Sequence, residues 1–383
     1  MSTILVIGAG PVGATFALLA KAYGQAVSLI DAREGPSTET RTLALSHGSR
    51  VLLARAGAWG GGLAATEIHR IHTSQKGGFG RVVLDRAEVG VPALGYVVRY
   101  AELQAKLDNA LAAAGISVTY GANVVALESS SATVKYVTGT GESVVQSSLV
   151  VMADGGANLD KVQGVEVAIK DYGQSAMLAH VVADQAHSNV AYERFTPEGP
   201  AALLPNVGGD CDYSMVWVAG HEKIDQLMAL NDEAARTAFQ SHFGNRAGRF
   251  TALTNRRRYP LRLKQASARV VEKIAIIGNA AQAMHPVAGQ GFNLGLRDAA
   301  TLAAALANTL GQSPTVNDAL RLYSATRESD IARGVGFTDL LASAFLSDAA
   351  TLRWPRGLAL AAVDLLPFAR RAIANRMLFG AQS

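Results

Sequence analysis

The chain has 383 residues, 49% of them hydrophobic and 17% charged, with a net charge of +4. That composition excludes a disordered or fibrous protein, and the length favours two packed lobes over one small core. The mild charge, with no aromatics interleaved among basic residues, excludes a nucleic-acid stacking platform, and the lone Cys211 excludes internal disulfides and thiolate metal clusters.

No uncharged run reaches the ~20 residues of a membrane span, and "MSTILVIGAG" carries no basic leader before its apolar run. A cytoplasmic protein is expected, without a signal peptide. The eight histidines are scattered without metal-ligand spacing, so no metal is expected.

"TILVIGAGPVGATFALLAKAYGQAVSLIDAR" predicts a βαβ unit: a buried strand Ile4–Ile7, a helix after Pro11 and a second strand Val27–Ile30. Gly8, Gly10 and Gly13 stand in the GxGxxG spacing, and Asp31 closes the second strand where an acid meets a ribose hydroxyl. Gly8 permits the turn, Gly10 lets a pyrophosphate reach the backbone, and Gly13 allows helix and sheet to approach; the helix start then offers free N–H groups. Pro11 and Val12 within the motif, and Arg33 after Asp31, join the candidate cofactor-binding residues. The motif does not distinguish FAD from NAD.

A helix over "YAELQAKLDNALAAAG" leads into short β-branched runs that predict a meander returning to the parallel sheet, with Asp154 after the last strand. From about Tyr172 to Arg262 longer strands and one helix near Glu222 to Phe243 predict a separate sheet lobe. "KIAIIGNAAQAMHP" then resumes the strand–glycine–helix style of the N-terminus. The predicted fold is therefore α/β: a discontinuous Rossmann-type FAD-binding lobe (1–75, 97–170 and 266–330), an inserted β-sheet substrate lobe (76–96 and 171–265), and C-terminal helices (331–383). Pro367 is expected to divide the last segment into two short helices.

The glycine motif, "ADGG" at Ala153 to Gly156 and "GNAAQAMHPVAGQGFNLGLRDA" at Gly278 to Ala299 together resemble the single-component FAD-dependent aromatic hydroxylases. "YERFTPEGPAALLP" and the GNAAQ form of the third motif are more similar to the ubiquinone-biosynthesis hydroxylases, in the 2-polyprenyl-6-methoxyphenol hydroxylase branch. The resemblance implies that FAD is the cofactor and NAD(P)H, or another donor, the reductant. A flavin C4a-hydroperoxide formed with molecular oxygen would hydroxylate a prenylated phenol.

It also implies a site. The third motif wraps the flavin, with Asn279 at the ribityl chain, Pro286 at the reactive edge, Gly289, Gly291 and Phe292 close to the ring, and the N–H groups around Asn293 and Leu294 at the pyrimidine carbonyl. Asp154 is expected near the pyrophosphate, Arg41 near the cofactor and reductant route, and Arg99 at the ribityl chain or pyrophosphate; each arginine has a solvated surface role as its alternative. Asn158 and Lys161 replace the serine and arginine usual beyond Asp154. His285 is a candidate base, against the alternative of a packed structural histidine.

Phe195, Pro200, Leu203 and Leu204 are the candidate apolar wall of the substrate site, with a place in the plain core as the alternative for each. The C-terminal run "WPRGLALAAVDLLPFARRAIANRMLFG" alternates apolar clusters with arginines, a composition suited to peripheral contact with the inner face of an anionic membrane, or to a helix pair packed on the FAD lobe or on a partner subunit of a ubiquinone-biosynthesis complex. An FAD-dependent reductase of prenyl chains and a non-enzymatic FAD-containing subunit are the alternative readings.

Overall fold

A computed structural model describes residues 3–78, 80–283, 290–308, 315–328, 330 and 362–380. The chain begins β1 (Thr3–Ile7), α1 (Pro11–Ala22), β2 (Ala26–Ile30), β3 (Thr42–Ser46), α2 (His47–Arg55) and β4 (Ala65–Ile68). It continues through β5 (Arg70–Gln75), β6 (Arg81–Asp85), the short α3 (Arg86–Val89), β7 (Gly95–Arg99) and α4 (Tyr100–Ala113). Next come β8 (Val118–Thr119), β9 (Asn123–Glu128), β10 (Thr133–Thr138), β11 (Gly141–Gln146) and β12 (Leu149–Met152).

The second half holds β13 (Val167–Ala183), β14 (Val190–Phe195), β15 (Ala201–Pro205), β16 (Asp212–Gly220), α5 (His221–Ala229), α6 (Asp232–Phe243) and β17 (Phe250–Ala266). After β18 (Val270–Val271) and β19 (Ile274–Ile276), a 3-10 turn Gly278–Ala280 precedes β20 (Gln282–Ala283) and α7 (Gln290–Asn308). Helix α8 runs over 316–328, and α9 is Pro367–Phe379.

The first lobe is a sheet in the order β18-β19-β12-β1-β2-β8, parallel from β19 to β8. Its strands are buried on both faces, which explains their unbroken apolar runs. Helices α1, α4 and α7 cover one face around Phe16, Leu103 and Leu296, and the meander β9–β11 covers the other around Val134 and Tyr136.

The second lobe is a sheet in the order β20-β17-β13-β16-β15-β14-β5-β6. Its strands alternate, and one face packs Met177, Leu203, Met215 and Trp217 against Phe239 and Phe243 of α6. A third, small sheet β3-β7-β4 joins the lobes.

Several sequence boundaries shift. β5, read as part of the first lobe, pairs in parallel with β14 and belongs to the second sheet; its partner lies more than a hundred residues away, beyond the reach of local pattern. β13 and β17 each run 17 residues and cross the expected boundaries at 170 and 265. The single helix near Glu222 to Phe243 is two, because Asn231 accepts a hydrogen bond from Ala234 N at 2.8 Å and caps a new start. Helix α9 begins at Pro367, its ring in the first turn where no N–H is needed, after a helical turn at 362–365.

Candidate active site

At the carboxyl ends of β1, β2 and β12 a cleft of about 780 Å3 opens, lined by Gly8, Gly10, Pro11, Val12, Asp31, Arg41, Tyr100, Asp154, Lys161, Asn279, Gly291 and Phe292 among others. The parallel sheet, with α4 and α7, gathers them from distant stretches of the chain, so the topology makes the site. The three glycines of the first motif have different duties. Gly8 has φ +101°, and a Cβ there would lie 2.7 Å from the Ala153 carbonyl; a Cβ on Gly13 would lie 2.0 Å from Gly8 O. Both glycines are demanded by the protein itself. A Cβ on Gly10 would meet only the Tyr100 hydroxyl, at 3.9 Å, so the space above Gly10 is kept clear for a ligand.

Asp31 accepts hydrogen bonds from Ala9 N at 2.5 Å and Arg33 N at 2.7 Å, which aims its carboxylate at the turn and leaves lone pairs for a ribose. Asp154 organises its own loop: Oδ1 accepts from Gly156 N at 2.9 Å, and Oδ2 from Asn158 N at 3.0 Å and Asn158 Nδ2 at 2.7 Å. Lys161 donates to Asn158 Oδ1 at 2.9 Å, so Asp154, Asn158 and Lys161 form a polar chain along one wall of the cleft. Asn279 is exposed in the cleft, with its amide open to a ligand. These features fit FAD: a free turn for a pyrophosphate, an acid for a ribose, an amide for a ribityl hydroxyl and an open approach over Gly291, whose added Cβ would meet nothing within 4 Å.

Two arginines lie elsewhere than the sequence reading put them. Arg99 is exposed, pairs with Glu102 at 2.8 Å and donates to Val207 O at 2.6 Å; it does not line the cleft. It ends β7, and the next residue, Tyr100, starts α4 and turns into the cleft with Arg41 over its ring at 4.8 Å. Arg33 makes a two-pronged pair with Asp108 at 3.0 Å and supports the cleft from behind. His285, Pro286 and Gly289 lie outside the described residues.

Behind the cleft lies an apolar cavity of about 150 Å3, walled by β3, the small sheet, β14–β16 and α9. The two sites share their partition: Leu43 and Phe292 face the cleft, while their neighbours Ala44 and Asn293 face the cavity. Asn293 is buried and bolts this partition together, accepting from Ser46 N at 2.8 Å and Ser49 Oγ at 2.7 Å and donating to Ala44 O at 3.2 Å. Leu294, next to it, is buried.

Pro200 and Leu204 line the cavity, as does Ala202 between them in the period of two. Leu203 points to the opposite face and is sealed in the α5–α6 core, and Phe195 packs in an apolar cluster with Leu84, Leu94 and Leu378 beside the cavity without lining it. An unbroken apolar run hides which residues face the site until the strand's partners are known. Glu193 is the carboxylate among the described lining residues.

Sequence reasoning missed the support beneath the third motif. Asp298, fully buried, accepts from Gly278 N at 3.0 Å and from Arg327 Nε at 2.6 Å, and lies 3.6 Å from Arg269 Nη1. Arg269 Nη2 in turn donates to Gln282 Oε1 at 2.7 Å, so one buried cluster holds the chain on both sides of the Gly278–Ala280 turn. Burial lowers the pKa of the Arg297 guanidinium nearby, although Asp330 opposes it. An aspartate just after the glycines, in "GLRDA", was the available signal. Gln104 was also missed; it donates to Ala9 O and Asp108 Oδ1, both at 2.8 Å, and fixes the first glycine turn from α4.

The sequence profile of the FAD binding domain family matches residues 1–337. The chain is 31% identical to 3-demethoxyubiquinol 3-hydroxylase of Escherichia coli (strain K12) over 94% of each chain, and 31% identical to ubiquinone hydroxylase UbiL of Rhodospirillum rubrum over 95% of this chain and 86% of that one. Its fold matches p-nitrophenol 4-monooxygenase PnpA of Pseudomonas putida at a TM-score of 0.79, with all of both chains covered at 16% identity. It also matches Klebsiella pneumoniae HpxO complexed with FAD at 0.75, again over both whole chains, at 18% identity.

The family match and the hydroxylase relatives, together with the cleft, make this an FAD-dependent monooxygenase. The chain belongs to the FAD binding domain family and, within it, to the ubiquinone-biosynthesis hydroxylases.

Proposed function

We propose that this protein hydroxylates the aromatic ring of a prenylated phenol on the route to ubiquinone. The observation that carries the reading is the shared partition: an apolar cavity lies across β3 and the start of α7 from a cleft suited to FAD. FAD held by Gly10, Asp31 and Asn279 would supply the redox and oxygen chemistry: with two electrons from NAD(P)H, one atom of molecular oxygen would enter the ring as a hydroxyl and the other would leave as water.

The protein's own part is placement, exclusion of water and charge. Gly10 and the start of α1 receive a pyrophosphate, Asp31 a ribose and Asn279 the ribityl chain. The first turn of α7 presents a positive dipole end, which favours negative charge on a ring bound beside it. Ala44, Leu204, Val216 and Val218 keep the cavity dry around a phenol, and Asn293 holds the partition that sets the distance between phenol and cofactor. His285 and Pro286 are proposed to act at the reactive edge, with Gly289 beside the ring. Arg41 and Lys161, which both line the cleft, are the cations proposed for the reductant's approach.

The protein is proposed to work in the cytoplasm and to draw its substrate from the inner membrane surface, or from a partner subunit, through its C-terminal region. No helix among the described residues is long and apolar enough to cross a membrane, and α9 carries exposed Phe368 beside Arg370 and Arg371. Deleting the gene and analysing the lipid extract by mass tests the reading. A prenylated phenol lacking one hydroxyl is expected to accumulate; an unchanged quinone pool would contradict it.

A further inference from the structure

Helix α9 forms one wall of the apolar cavity through Ala374, Met377 and Leu378, and its two ends are held in opposite ways. The C-terminal end is jammed against α2. Leu378 O lies where a Cβ on Gly48 would be only 2.4 Å away, and the Phe379 ring meets His47 edge-on at 6.0 Å. Contacts this close leave that end no slack.

The other end rests on two polar contacts at the protein surface. Arg370 pairs with Glu88 of α3 through Nη2–Oε1 at 2.8 Å and Nε–Oε2 at 2.9 Å. Asp364, just before the helix, accepts from Val83 N at 3.1 Å on β6, the edge strand of the sheet. The pair is two-pronged and half-buried, so it holds this end closed until a ligand entering beside it displaces its contacts.

Between these ends runs a continuous apolar seam. Leu84 and Ile71 line the cavity itself, and Val89, Val91, Val363 and Ile373 extend the same cluster outward between α9 and the β6–α3 edge. At the outer end Leu365 and Phe368 are 78% and 70% exposed, so the apolar path does not stop at the latch but reaches solvent. The cavity is sized for an aromatic head, and a tail of several isoprene units extends beyond it.

We infer that the isoprenoid tail of the substrate leaves the cavity along this seam, with α9 pivoting on its Gly48 contact and the Glu88–Arg370 pair and Asp364 acting as the latch. The inference rests on the prenylated-phenol reading above and adds the subsite that recognises the tail. An isoprenoid chain fits because it asks only for a long apolar path, whereas a polar or charged group would find no partner among the seam's side chains.

The test is binding to the oxidised FAD-loaded protein, read from the flavin spectrum. Two ligands are compared: a farnesyl phenol and the same phenol with a methyl group in place of the tail. Glu88→Cys and Arg370→Cys, in a Cys211→Ser background, are joined by a short bis-maleimide to hold the seam shut. The linked protein is expected to bind the farnesyl phenol at least about tenfold more weakly than the unlinked double variant and the methyl phenol equally well, while the unlinked double variant, its latch removed, binds the farnesyl phenol at least as tightly as the wild type. Ile373→Trp, which fills the seam without a cross-link, is expected to show the same selectivity.

Equal farnesyl-phenol binding by linked and unlinked protein would overturn the inference and leave the hydroxylase reading standing. So would loss of both ligands in the linked protein, because the link would then be acting on the cavity. If neither phenol perturbs the wild-type flavin, the prenylated-phenol reading falls and the seam assignment falls with it.

Discussion

The cofactor cleft and the apolar cavity stand back to back on β3 and the start of α7, yet they are made in opposite ways. In the cleft the backbone does the recognising: glycines clear space, and Asp31 and Asp154 spend most of their hydrogen bonds holding turns in shape. In the cavity side chains do it, drawn from eight strands and two helices, with Asn293 as the polar fixture of the shared wall. A backbone-built site tolerates few changes of shape, whereas a side-chain-built site can change its ligand by changing single residues. The difference explains how one cofactor cleft can be kept while the substrate varies.

The sharpest way to break the comparison is at the buried support of the cleft. Asp298→Ala leaves Arg327 and Arg269 without their shared carboxylate and is expected to cost about 3–5 kcal/mol, with FAD lost as the Gly278 turn loosens. Urea unfolding of the apo protein measures the first effect and flavin absorbance the second. A wild-type midpoint would show that the cluster does not hold the turn.

Leu203→Ala and Leu204→Ala separate the two faces of one strand. The first opens a hole in the α5–α6 core and is expected to destabilise by about 2–5 kcal/mol, without direct effect on ligand binding. The second is expected to leave most of the stability in place and weaken phenol binding, since Leu204 lines the cavity. Paired melts and phenol titrations decide it, and equal losses of stability would place both residues in one core.

Gly13→Ala and Gly10→Val do the same for the cleft. The Gly13 substitution forces a Cβ into Gly8 O and is expected to cost about 1–3 kcal/mol or more, whereas Gly10→Val has room in the apo protein and is expected to keep its fold and lose its colour. Gly291→Val belongs with Gly10: nothing in the protein lies within 4 Å, so flavin retention and not the melting point is expected to fall. A yellow Gly10→Val protein would mean that the space above Gly10 is not where the cofactor sits.

A further effect is in pH. Burial against Trp217, 4.3 Å away, pushes the His242 pKa down from 6.5 to about 3, with Lys76, Arg194 and Lys223 adding to the shift. Folding therefore excludes a proton that the unfolded chain binds below pH 6.5. His242 lends its full stability above that pH, and about 1.4 kcal/mol is lost for each unit below it until His242 itself titrates near 3. His242→Gln is expected to flatten the stability profile between those limits; an unchanged slope would assign the acid sensitivity to other groups.

The same contrast decides what the sequence made legible. The cleft's framework could be read because Gly8, Gly10 and Gly13 stand at one fixed spacing in a single turn, and Asp31 and Asp154 each follow a strand and hold N–H groups two to four residues on. Arg99 was misread by one position, since only the start of α4 determines that Tyr100, and not its neighbour, turns inward. Leu203 and Phe195 were misread because facing depends on strand pairing, and β5's move to the second sheet depends on β14, far away in the chain. Asp298 and Gln104 were passed over for a like reason: each supports a turn from which it is separated by 20 and 95 residues. Local chemistry shows in a sequence, and long-range packing does not.

The central claim is that the cleft and the cavity act together to place oxygen on a phenol ring. It is tested most directly by supplying the FAD-loaded protein with NAD(P)H, a farnesyl phenol and oxygen-18 gas, then weighing the product. The account predicts a new ring hydroxyl carrying the heavy isotope, formed in step with oxygen consumed. Heavy oxygen found only in hydrogen peroxide, or a product changed in its tail and not in its ring, would contradict it.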